Sequence, residues 1–236
     1  MTQNSSSLPE AVRSAEVAPL VFPVGHYMGP FHPTQGAPAK HHIVRVGWNT
    51  PKLPDQAHFD MWALAHGLPS RLGGAPWTRQ VLIETATEAE VPGAAEILDN
   101  LVRLGLTVEV MPGSDQAQKF AQAYRVRPLL IGLGNTAADP VLDGIGLAGV
   151  PPLVRVRPRV FEIWEWTHLW PSIWTACEGF ASVANQAADA SAEPAEPQAL
   201  LDFMLDAFRT LIAHSAIYLD VVTTAPGRSA SEGQPR

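Results

Sequence analysis

The chain has 236 residues and a formal net charge of −7, with 16 basic residues against 23 acidic ones. A hydrophobic fraction of 46% beside 17% charged residues is that of a globular chain and excludes wholesale disorder. The single cysteine, Cys177, excludes intrachain disulfides and thiolate-rich metal sites, and only three of the basic residues are Lys, which lowers the expectation of a phosphate-binding surface.

Residues 1–18 are rich in Ser, Ala and Glu and read as a loose N-terminus, with no charged region and apolar core of a secretory signal. No run of eighteen apolar residues follows, so a cytoplasmic protein without a membrane span is expected. Leu20 to Met28 is apolar and broken by Pro and Gly, as a strand region would be. His42 to Val46 is a further strand, with Ile43 and Arg45 on one face and Val44 and Val46 on the other. Phe59, Trp62 and His66 then fall at helical spacing. A second helix starts near Pro76-Trp77-Thr78, and a third runs from about Ala94 to Leu104, ended by Gly105. Thr107 to Val110 reads as a strand or wing, and Ala117 to Arg125 as a short bridging helix.

After the bridge the pattern returns. Leu129 to Leu133, a turn at Gly134-Asn135-Thr136, a strand near Ile145 and another at Leu153 to Val156 form a three-stranded unit. Helices then start at Phe161, at Pro171-Ser172-Ile173 and near Gln198. Residues 225–236 read as loose, and Asn185 to Pro197 as a surface loop.

This return is a repeat. Phe59 to His66 and Phe161 to His168 share Phe, an acid, a large aliphatic, Trp and a closing His. Val-Arg-Val precedes each octet, at 44–46 and 154–156. Ile97-Leu98-Asp99 and Leu200-Leu201-Asp202 follow them; Asp99 lies 40 residues after Phe59, and Asp202 lies 41 after Phe161. Internal self-similarity at this spacing predicts two related domains in tandem. The expected boundaries are 19–112 and 129–224, joined by a connecting helix within 113–128.

Chemistry-bearing residues are few. His26, His32, His41 and His42 cluster, yet no C-x-x-C or H-E-x-x-H spacing accompanies them, so no metal site is expected. His66 and His168 sit where a helix C-terminus favours an imidazole against the last carbonyls. Trp164, Trp166, Trp170 and Trp174 read as core or interface. Gly132-Leu133-Gly134-Asn135 lacks the third glycine and the following helix of a dinucleotide loop, and reads as a hairpin. Arg155, Arg157 and Arg159 alternate and would share a strand face. Cys177 is a packed thiol, and no G-x-S-x-G or other catalytic motif is present, so no enzyme and no cofactor are expected.

Strands followed by three helices is a winged-helix order, and the fold class expected is α+β: two tandem winged-helix-like domains, each a small antiparallel sheet followed by three helices. Val44-Arg45-Val46, Phe59 to Trp62 and Leu101-Val102-Arg103-Leu104-Gly105-Leu106 resemble the layout of PqqD-like peptide-recognition domains, the recognition elements of ribosomal peptide modification systems. Val154-Arg155-Val156, Phe161 to Trp164 and Leu201 to Leu211 resemble it again, without the closing glycine. The resemblance implies a peptide or protein partner added as a strand beside Ile43, Val44, Arg45 and Val46, against Ile97, Leu101 and Leu104 of the third helix. A second groove would use Val154, Arg155, Val156, Met204 and Phe208. Proline at Val44 would then remove an edge donor without unfolding the chain. The alternative is a winged-helix DNA-binding regulator, disfavoured by the net acidity.

Overall fold

Two backbone hydrogen bonds at the end of a helix recur in both halves of the chain and fix how it repeats. In the computed structural model, which describes residues 18–187 and 195–223, the helix ending near Leu104 passes through Gly105 at φ 67°. Gly105 N–H donates to Val102 and Leu106 N–H to Leu101, a Schellman closure. The later helix passes through Ser215 at φ 53°, with Ser215 N–H on Ile212 and Ala216 N–H on Leu211. The carbonyl after each closure then accepts from an earlier strand: Leu106 from Val24 N–H at 2.9 Å, Ala216 from Leu129 N–H at 3.0 Å. The glycine missing from the second copy is a serine held in the same left-handed conformation.

Around these caps the element orders match. The first unit runs β1 (Leu20–Pro23), β2 (His26–Phe31), β3 (His41–Arg45), β4 (Lys52–Leu53), α1 (Gln56–Leu64), α2 (Arg79–Glu88), α3 (Ala94–Arg103) and β5 (Thr107–Val110). After α4 (Asp115–Ala123) the second runs β6 (Tyr124–Pro128), β7 (Ile131–Thr136), β8 (Asp139–Gly146), β9 (Val154–Val156), α5 (Pro158–Trp166), α6 (Ile173–Ala187), α7 (Pro197–Ala213) and β10 (Ile217–Val221). In each, the first and last strands pair antiparallel (β1 with β5, β6 with β10) and the middle three form an antiparallel sheet, ordered β2-β3-β4 and β7-β8-β9. The chain is thus mixed α+β, with seven α-helices and four small antiparallel sheets among the described residues. The stretch 113–128, expected as a connecting helix, divides into α4 and the strand β6. Of the expected loose N-terminus, 1–18, all but residue 18 lies outside the described residues, as do the expected loose C-terminus, 225–236, and most of the loop before α7, 188–194.

Local chemistry explains the starts of the helices. Asp55 accepts from His58 N–H at 2.9 Å and caps α1; Thr78 accepts from Val81 N–H and caps α2, so Pro76 precedes the helix rather than opening it. Pro158 and Pro197 stand in the first turns of α5 and α7, where the missing N–H costs nothing.

The matching order corrects two equivalences read from the sequence. Val44-Arg45-Val46 belongs to the middle strand and its turn, whereas Val154-Arg155-Val156 is the last strand; the latter's counterpart is Lys52-Leu53. The two aspartates are not counterparts either. Counted from the Schellman closures, Leu101 answers to Leu211, which sets Asp99 against Arg209; α7 has 17 residues to the 10 of α3, the excess lying at its N-terminal end.

The units share a core. On β1, Val21 packs with Leu53, Met61, Trp62 and Leu98 of the first unit, while Leu20 and Phe22 turn the other way. They join Phe120 of α4 and Leu205, Phe208 and Leu211 of α7, with Phe22 stacked on Phe120 at 5.9 Å. The β1–β5 ribbon is therefore a wedge between the units. A polar anchor adds to it: buried Asp220 of β10 accepts from Gly47 N–H at 2.7 Å and pairs with Arg45 at 3.2 Å, while Arg45 also donates to the Tyr218 hydroxyl.

Candidate functional site

A sheet recruits an extended partner only where a strand has unpaired backbone on one side. β3 has no such side. His41 to Arg45 pair with β2 throughout, and His42 and Ile43 pair with Leu53 and Lys52 of β4. Val44 N–H donates to Pro51 at 3.1 Å, and Val46 exchanges hydrogen bonds with Asn49. Ile43, Val44, Arg45 and Val46 are thus the interior of the sheet and its turn, correcting their assignment as an edge. Val44 is wholly buried, and Arg45 is committed to Asp220 and Tyr218. On α3, Ile97 and Leu101 are core residues and Leu104 alone reaches solvent, 48% exposed. The groove expected in the first unit is filled by its own core. Its outer strands are β2 and β4, and β4 is two residues set between Pro51 and Pro54, a device that blunts an edge.

The second sheet ends differently. β9 pairs with β8 alone, Val156 with Asp143, Arg155 with Gly144 and Val154 with Ile145. Val154 and Val156 point into the core, and Leu153, Arg155 and Arg157 are exposed between them. Leu153 is 52% exposed, and the same sheet and its β8–β9 turn expose Ile131, Val141, Leu147 and Val150. Met204 and Phe208 do not join this surface: both are buried within α7, so the expected second groove keeps its strand and loses its helix. Arg155 lies 3.6 Å from Asp139, and Arg157 makes no ion pair among the described residues. Arg159, expected on the same strand face, belongs to α5 and pairs with Glu162 at 2.9 Å.

The remaining chemistry-bearing residues are distributed. His42 Nδ1 bonds the Tyr27 hydroxyl at 2.7 Å, His32 Nδ1 meets the Ala37 carbonyl, His41 stacks on Phe31 and His26 lies edge-on to Tyr218. No group of three His, Cys, Asp or Glu residues with metal-holding geometry occurs among the described residues. His66 takes the cap role read for it, with Nδ1 on the carbonyls of Trp62 and Ala63, whereas His168 Nδ1 is buried with no partner among the described residues. Of the four tryptophans, Trp164 is core, Trp174 packs against it, and Trp166 and Trp170 are exposed. The glycine-rich segment lies in β7, and the hairpin turn falls later, at Ala137-Ala138. Burial pushes the Cys177 thiol up to about 12, which leaves it protonated and unreactive at neutral pH.

The residues that make β9 distinctive, Leu153 and the apolar side chains of its neighbours, were missed in the sequence. Their signal is short: Val154-Arg155-Val156-Arg157 alternates, preceded by Leu153, between Pro151-Pro152 and Pro158. No protein-family model, no curated protein and no solved structure matches the chain.

Proposed function

We propose that the chain is a pair of winged-helix-like units that binds an extended peptide or protein segment, without catalysis, by strand addition at β9. The observation that carries this reading is the contrast between β9 and the Ile43 to Val46 strand: β3 is paired on both sides, whereas β9, like β2, β4 and β7, is a terminal strand paired on one side, and its residues Leu153, Arg155 and Arg157 are exposed. Backbone groups along such an edge supply affinity, and the side chains above it supply selectivity. Arg155 and Arg157 favour a segment that carries acids, and the exposed Ile131, Val141 and Leu153 favour apolar residues between them. The resemblance to PqqD-like domains points the same way, toward a peptide substrate of modification enzymes.

The alternative, DNA binding through a third helix, finds little surface to use. α7 buries seven side chains, and the outward positions of α3 include Glu96 and Asp99, the latter held by Arg79 at 2.6 Å. Among the described residues no helix is long and apolar enough to cross a membrane.

The test is selection of binders from a random displayed peptide library, followed by titration of the selected sequences. Sequences with alternating apolar and acidic residues are expected, and Arg155→Pro, which removes a backbone donor from β9, is expected to weaken them at least about tenfold. Arg155→Glu with Arg157→Glu is expected to shift the preference to basic peptides. Undiminished binding by both variants would exclude this edge.

A further inference from the structure

Between the two units lies a cleft of about 350 Å³, a volume that suits a small organic molecule. The first unit contributes His26, Tyr27 and the Phe59, Trp62 and His66 stripe of the octet; the second contributes Ser215, Ile217 and Tyr218 among others. Neither unit forms it alone, and no residue of β9 lines it.

The polar atoms of its walls divide into spent and unspent. Trp62 gives its indole N–H to the Val24 carbonyl and the Tyr27 hydroxyl is bonded to His42; the Tyr218 hydroxyl accepts from Arg45 and keeps its own proton to donate, and the Ser215 hydroxyl and His26 ring have no side-chain hydrogen bond among the described residues. His66 turns Nδ1 toward the carbonyls of Trp62 at 3.0 Å and Ala63 at 3.2 Å. A ring nitrogen bonded to carbonyl oxygens is the protonated one, because an oxygen there can only accept. Burial pushes the His66 pKa down to about 4 against the pull of those two carbonyls, so the ring is neutral at pH 7. Nε2 is then a bare acceptor, and it meets no protein donor among the described residues. Flat apolar faces surround it: Trp62 stands edge-on to His66 at 4.5 Å between centroids, and Phe59 lies 4.9 Å from Tyr27. Arg45, beside Tyr218 at the cleft's rim, is committed to Asp220 and the Tyr218 hydroxyl.

We infer that this cleft binds a neutral aromatic molecule carrying an N–H or O–H donor, its ring against Phe59 and Trp62 and its donor on His66 Nε2. Indole and 1-methylindole form a matched pair of probes, since methylation removes the donor and keeps the ring. Calorimetric titration of the full chain is expected to show indole binding at least about tenfold more tightly than 1-methylindole, the worth of one good hydrogen bond. His66→Leu is expected to abolish that preference. Ala213→Phe, which sets a ring into the cleft from the end of α7, is expected to remove binding of both probes, with thermal unfolding recorded to confirm that the variant folds. No binding of indole, equal affinity for the two probes, or a preference that persists in His66→Leu would overturn the inference. So would indole binding that survives in folded Ala213→Phe.

Discussion

The sheets β2-β3-β4 and β7-β8-β9 occupy the same place in the element order and differ at their free ends. The first closes with Lys52-Leu53 between two prolines, and its β3–β4 turn is tied down where Gly47 N–H meets Asp220 of the other unit. The second closes with three paired residues, and its β8–β9 turn is held by bonds within its own hairpin, Val150 N–H to Leu147 and Leu153 N–H to Ile145. One copy has spent its edge on holding the units together. The other keeps β9 with one side unpaired and rimmed with apolar and basic side chains, an asymmetry between two units of matching element order.

The largest expected effect breaks the comparison directly. Val44→Pro removes a donor from a strand paired on both sides and forces a ring into a fully buried site, and it is expected to cost about 3 kcal/mol or more in denaturant unfolding. Arg155→Pro on the one-sided strand is expected to cost less than about 1 kcal/mol. Equal losses would make the two strands alike. Next comes the anchor possessed by only one turn. Asp220→Ala strands Arg45 and Gly47 N–H and is expected to cost about 2–3 kcal/mol by the same measurement.

The two octets provide a third contrast. The folded chain protonates His66 only near pH 4, while the unfolded chain does so near 6.5, so the unfolded state holds more protons between those values. The stability from this neutral ring is full above pH 6.5 and is lost as the pH falls toward 4, by about 3 kcal/mol. His66→Gln is expected to flatten that limb of the stability profile, and an unchanged slope would remove His66 as its source. The smallest effect compares the helix ends. Ser215 holds a left-handed conformation that Gly105 adopts freely, so Ser215→Gly is expected to stabilise by about 0.5–1 kcal/mol, seen as a raised melting temperature.

Much of this architecture was legible because it is local. Phe59, Trp62 and His66, and Phe161, Trp164 and His168 in and just after α5, follow a helical period within eight residues, and Gly105 announces the end of α3. What escaped depends on partners far along the chain. Val-Arg-Val alternates identically in a central strand and in a terminal one, so nothing local separates Val44 from Val154; the pairing with β2 and β4 does. The near-equal spacing of Asp99 and Asp202 misled because α7 is longer at its start, and Ser215 hid the second cap by doing a glycine's work. Leu20 and Phe22 looked like ordinary strand residues, yet they bind the units into one core.

Backbone amide exchange on the chain bound to a library-selected peptide tests the central claim most directly. A strand laid along the outside of the second middle sheet should slow exchange within Val154 to Val156 at least about tenfold and leave His41 to Arg45 as slow as before. Protection that appears instead along β4 or α3, with Val154 to Val156 unaltered, would contradict the account.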